Sequence, residues 1–272
     1  MQWWCAATST DWSWTWRPYP GVWLMIGLVA ALYWRGIRRA GAVPVSRPLL
    51  FGAGLLVLWL ALDWPVGALG AGYLLSVHTA QYVALTLIAM PLLLAGTPPA
   101  LFPIRGSGRA AAALQRLANP AVGLVGYSVV MAVTHVPRVT DLLMSTQLGS
   151  FGIDLAWLGG ALALWWPVLA PEEYVRISPP LRIGYLFVAS IPPTIPAAFM
   201  VFADYPLYAL YELAPRVGLA AGTDQQAAGL IMKAGADPLL WLAMAIVFFR
   251  WQRAEDDGER RDQSLSPQEQ LT

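Results

Sequence analysis

Seven apolar stretches, most of them about 16 to 24 residues long, run through the 272-residue chain and leave no segment long enough for a separate soluble domain. They fall at about residues 21–37, 49–64, 73–98, 120–136, 151–169, 183–202 and 226–249. Each is close to the roughly 20 residues with which a helix spans the hydrocarbon core. A transmembrane barrel would instead show alternating segments of about ten residues, and these runs are continuous. With 57% hydrophobic residues, 12% charged residues and a mean hydropathy of +0.54, the chain is too apolar for a water-soluble fold of this size. The expected fold class is therefore all-α, a polytopic membrane protein with seven transmembrane helices. A Trp-rich external segment at 1–20 precedes the helical domain at 21–250. A charged cytoplasmic tail at 251–272 is expected to be disordered.

Arginine placement orients these helices. Thirteen arginines fall in the first, third and fifth loops and the tail, among them Arg35, Arg38, Arg39, Arg105, Arg109, Arg116, Arg176 and Arg182. Only Arg17, Arg138 and Arg216 lie on the other side. The positive-inside rule then puts the amino terminus outside and the carboxyl terminus in the cytoplasm. A net charge of +1 argues against nucleic acid as a partner, and the single cysteine, Cys5, excludes an internal disulfide framework or a cysteine-based zinc site. The first twenty residues lack the basic and apolar regions of a cleaved signal, and their tryptophans read as an interfacial belt.

Polar residues inside such helices are expensive and mark function or packing. His78, Gln81 and Tyr82 stand at i, i+3 and i+4 in the third helix, which places them on one face. With the orientation above, His78, His135, Asp154, Asp204, Asp224, Gln225 and Gln226 all fall at the outer end. Thr223 or Asp224 reads as a cap for the seventh helix. The aromatics of PLYALYE at 206–212 read as a membrane-surface segment. Lys233 lies inside the seventh helix, with Asp154, Asp204 or, one turn on, Asp237 as its partner. A retinal Schiff base is disfavoured because the third helix contains no acid. The chain shows no Ser-His-Asp set, no paired carboxylates on one helix face and no phosphate-binding glycine loop, so an enzyme is not expected.

Six segments together resemble a known family: SVHTAQYVALTLIAMPLLLAGTP at 76–98, THVP at 134–137, ALALWWPVL at 161–169, DYPLYALYE at 204–212, TDQQAAGLIM at 223–232 and RWQRAED at 250–256. In this order they look like the CtaG-type cytochrome c oxidase assembly factors, seven-helix proteins of the bacterial inner membrane, over about residues 20–255. This sequence is a histidine-poor relative. Tyr82 stands where the family has a second histidine, and Ser150 and Asp154 stand at two further histidine positions. The resemblance implies a non-catalytic role in oxidase biogenesis, with oxidase subunits, membrane lipid and a periplasmic copper chaperone as partners. Copper is the metal such a protein would handle. Its candidate ligands here are His78 and His135 with Met131, Met200 or Met232, since imidazole and thioether suit Cu(I). Gln81, Tyr82, Asp154, Asp204, Asp224, Gln225 and Lys233 make up the surrounding polar set. A purely structural polar clamp between helices, a permanent accessory subunit and a copper or proton transporter remain alternatives at this point.

Overall fold

The computed structural model describes residues 2–102, 108–174 and 177–269, with side chains described to Arg261. Among these residues there are helices and no strands. Helix α1 (Pro20–Ala40) is followed by α2 (Ser46–Leu62), which bends by 47° into α3 (Val66–Gly72). Next come α4 (Leu75–Val83), a π-helical turn at Ala84–Ala89 and α5 (Met90–Gly96), forming one span of 22 residues. Helix α6 (Gly108–Leu117) meets α7 (Pro120–Thr134) at 91°, and the short α8 (Pro137–Met144) leads into α9 (Gln147–Leu169). The last elements are α10 (Pro179–Ala189), α11 (Thr194–Phe202), the short α12 (Ala209–Glu212), α13 (Ala221–Leu230), a second π-helical turn at Ile231–Gly235 and α14 (Ala236–Glu269). By length and composition, five spans can cross a membrane, or seven if each bent pair counts as one. Helix α14 continues through the charged stretch after Arg250. Arg105 and Arg176 lie outside the described residues.

Prolines shape the spans. Pro91 and Pro238 each follow a π-helical turn, which removes the clash a helical proline makes with the carbonyl four residues earlier. Pro167 sits inside α9 without such a turn. It cannot donate to Ala163, and the Tyr185 hydroxyl donates there instead, bonding Leu164 O at 2.9 Å and Ala163 O at 3.4 Å. The sequence IPPT at 191–194 separates α10 from α11. Thr194 N donates to Ile191 O rather than to Ser190 O, and the Lys233 ammonium takes the Ser190 carbonyl at 3.3 Å. A cation at the carboxyl end of a helix suits its dipole, so Lys233 acts as a cap for α10 supplied by another helix.

Burial defines the centre of the bundle. The span of α4 and α5 and the span of α9 are the most enclosed, whereas α1 buries only Val22. Helices α7 and α9 touch closely because Gly123 faces Ala163 O and Gly160 faces Val130, where an added Cβ would lie 2.6 and 3.1 Å away. At the arginine-rich end, Arg47 donates to Ala95 O and Thr97 O, and Arg182 donates to Val168 O. These arginines therefore also satisfy carbonyls at helix ends.

The amino-terminal segment corrects its reading as an interfacial belt. Trp14 and Trp16 are exposed, but Trp4, Cys5 and Tyr19 are buried in the core. Trp4 packs edge-on against Phe151 at 4.8 Å and donates its indole N–H to Asp154 Oδ2 at 2.8 Å. Trp23 and Trp59 both donate to Asp63 Oδ2. The segment is thus a plug held by α9 rather than a surface girdle.

Candidate functional site

The amino-terminal ends of α4, α9 and α13 and the carboxyl-terminal end of α7 meet at one end of the bundle, and the predicted polar residues collect there. At its centre stands Trp157 of α9, which sequence reasoning did not single out among 14 tryptophans. His78, from the first turns of α4, lies 4.8 Å from its ring and His135, just past α7, lies 6.3 Å from it and nearly parallel. Tyr82 lies edge-on to both Trp157 at 5.3 Å and His135 at 4.8 Å. Its hydroxyl donates to Tyr127 on α7 at 3.1 Å. The Trp157 indole donates to Thr134 Oγ1, which in turn donates to Val130 O. All of these rings are buried.

The two imidazoles therefore share a wall. His135 Nδ1 lies 2.8 Å from Met131 O. A carbonyl only accepts, so Nδ1 carries the proton and Nε2 keeps a lone pair. That Nε2 is buried and has no hydrogen-bond partner among the described residues. Met131 and Met232 are both buried in the core. Among the described residues no three His, Cys, Asp or Glu side chains gather as a metal site. A soft metal here would rest on imidazole and thioether alone, donor types that fit Cu(I).

The remaining predicted residues have other assignments. Gln81 points away from the imidazoles: its amide donates to Ala61 O at 2.7 Å and its oxygen fills the space left by Gly70. Ala61 O needs this donor because residue 65, four positions on, is a proline. Asp224 does not cap its own helix. It accepts from Leu75 N at 2.6 Å, from Ser76 N at 3.2 Å and from the Ser76 hydroxyl, and so caps α4 from α13. Gln225 accepts from Leu207 N and donates to the carbonyls of Met200 and Tyr205, which fastens the 203–208 loop. Asp154 receives the Trp4 indole rather than an imidazole. Asp204 is exposed and stands apart from the cluster. Of the three acids considered for Lys233, the partner is Asp237, at 2.9 Å.

PLYALYE also differs from its expected place at the membrane surface. Tyr208 and Tyr211 turn inward, donating to His135 O at 2.9 Å and to Gly70 O at 2.6 Å, and Tyr211 lies 5.8 Å from the His78 ring. Burial raises the pKa of both phenols, so they remain donors. Asp141, unremarked in the sequence, accepts from Ala209 N and Leu210 N and starts α12. The segment thus closes over the imidazoles. The only hint was the i, i+3 spacing of its tyrosines, which puts both on one side of a short helix.

These features define a polytopic helical membrane protein with a buried aromatic and imidazole cluster at one end, beside a cavity of about 470 Å³ lined by His135, Met131 and Tyr208. The chain belongs to the cytochrome c oxidase caa3 assembly factor family (Caa3_CtaG), whose family model matches residues 28–254. No curated protein and no solved structure matches it. The matched region holds every member of the cluster, and membership places the protein in the assembly of cytochrome c oxidase.

Proposed function

We propose that this protein serves oxidase assembly as a non-catalytic scaffold in the bacterial inner membrane, with its amino terminus outside and its carboxyl terminus in the cytoplasm. Oxidase subunits dock on its lipid-facing helices. One observation carries this reading. Nearly every polar side chain at the outer end is committed to the protein's own backbone: Gln81 to Ala61, Asp224 to Leu75 and Ser76, Gln225 to Leu207, Tyr208 to His135 and Tyr211 to Gly70. Such bonds hold helix ends in fixed positions.

A second reading has its own support in the lone pair of His135 Nε2. Copper is then cargo, held as Cu(I) by His135 with His78, Met131 or Met232 and received from a periplasmic chaperone. Metal analysis of the purified protein against a His78→Ala, His135→Ala double variant separates the two. Equal copper in both leaves the scaffold alone, and copper lost from the variant establishes the cargo site. Isolation of the oxidase decides the duration of contact. A scaffold is absent from the mature enzyme, whereas a stoichiometric amount there marks a permanent subunit.

A further inference from the structure

The Lys233–Asp237 pair bonds to none of the cluster's side chains: Lys233 reaches Ser190 O, Thr194 Oγ1 and Asp237. Lys233 is twelve residues past Ala221, the start of α13, or about 18 Å along the axis, near the middle of a hydrocarbon core about 30 Å thick. The pair lines a groove of about 510 Å³ between α11 and α13–α14, whose walls include Ala197, Ala198, Gly229, Ala234 and Trp241. Ala197 and Gly229 pack α11 against α13, and the more open Ala198 and Ala234 leave room for a close neighbour, as at other helix contacts in membranes. The groove faces outward: the Lys233 side chain is 38% exposed and that of Asp237 is 17% exposed.

The hydrogen bonds of the pair are unequal. Three acceptors surround the Lys233 ammonium, namely Asp237 Oδ2, Thr194 Oγ1 and Ser190 O, and an ammonium has three donors. Asp237 meets Lys233 through Oδ2, which leaves Oδ1 outside that contact. A carboxylate oxygen turned toward hydrocarbon with nothing to accept from is costly, and a lipid chain offers no donor.

Resting on the scaffold reading, we propose that this groove receives a transmembrane helix of the oxidase under assembly, one that carries a hydrogen-bond donor at mid-membrane depth. A serine, threonine, asparagine or tryptophan on that helix donates to Asp237 Oδ1, while its neighbouring small residues lie along Ala198 and Ala234. Lys233 meanwhile stays on α10, so the site is preformed.

The test places a photo-crosslinking benzoylphenylalanine at Ala198 or at Trp241 in the full-length protein, in cells assembling the oxidase. The expected adduct is with an oxidase subunit, identified by mass spectrometry. A Lys233→Met, Asp237→Leu double variant keeps the groove apolar and lowers the yield about tenfold, the loss of one intramembrane hydrogen-bonded contact. Asp237→Asn retains an acceptor oxygen and retains the adduct. Should the double variant fail to accumulate, Asp237→Leu alone reads the same contact. Adducts only with lipid or with a second copy of this chain overturn the proposal, as does an undiminished yield in the double variant. Deletion separates the two levels: full oxidase activity without the protein refutes the scaffold, whereas a defect repaired by the double variant refutes only the groove.

Discussion

Replacing Asp224 with alanine strips the start of α4 of its cap. Three bonds end on this one buried carboxylate, from Leu75 N, Ser76 N and the Ser76 hydroxyl. Bonds to a carboxylate are worth about 1.5–3 kcal/mol each, but they share an acceptor and the freed N–H groups regain some water, so the expected loss is about 3–5 kcal/mol. Asp224→Asn keeps one acceptor and should lose roughly half of that. Ser76→Ala removes only the hydroxyl and should cost about 1–1.5 kcal/mol. Unfolding free energies of the four proteins in a double-mutant cycle, measured by steric trapping in bilayers, give the coupling directly. The cap across helices requires a coupling of about 1 kcal/mol or more between Asp224 and Ser76. A coupling of zero would mean that Asp224 serves only its own helix and would refute the assignment.

Four further outcomes follow from the same geometry. Tyr208→Phe should lower stability by about 1 kcal/mol through loss of the bond to His135 O, with little change in Tyr211→Phe background coupling beyond their 6.4 Å ring contact; equal stability in thermal unfolding contradicts the lid. Gly160→Leu should separate α7 from α9 and lower the yield of folded protein in size-exclusion profiles, because its Cβ already meets Val130 at 3.1 Å. Cys5 should resist maleimide labelling in the folded protein, since burial first and Asp154 second raise its thiol well above the usual 9.0. The folded state holds that proton more tightly than the unfolded chain, so the Cys5 contribution to stability is level below about pH 9 and falls above it, and Cys5→Ala should lessen the slope there while the buried phenols of Tyr208 and Tyr211 keep theirs above about pH 10.

Much of the fold was legible because a membrane helix announces itself by length and continuous apolarity. All seven apolar runs carry helix, the sixth broken at 190–193, and the expected outer-end residues His78, His135 and Asp224 do lie at one end. Of the three acids the sequence offered Lys233, Asp237 is the one its i, i+4 spacing brings onto the same helix face. Other assignments had no local signature. The bond from Leu75 to Asp224 spans 149 positions, and Asp224 in the first turn of α13 satisfies every local rule for capping its own helix. Gln81 shares a turn with His78 and Tyr82, yet the carbonyl released by Pro65 draws it to the other side. Trp157 was hidden by numbers, and Trp4 by its place in a segment where Trp3, Trp14 and Trp16 are exposed. The inward turn of Tyr208 and Tyr211 depends on free carbonyls at residues 135 and 70, which only the folded chain reveals.

Oxidase activity of membranes from a strain lacking this protein, grown with copper both scarce and in excess, tests the central claim most directly. A scaffold predicts loss of assembled, active cytochrome c oxidase under both conditions, restored by the wild-type chain and by the His78→Ala, His135→Ala variant. Full activity in the deletion strain at either copper level would contradict it.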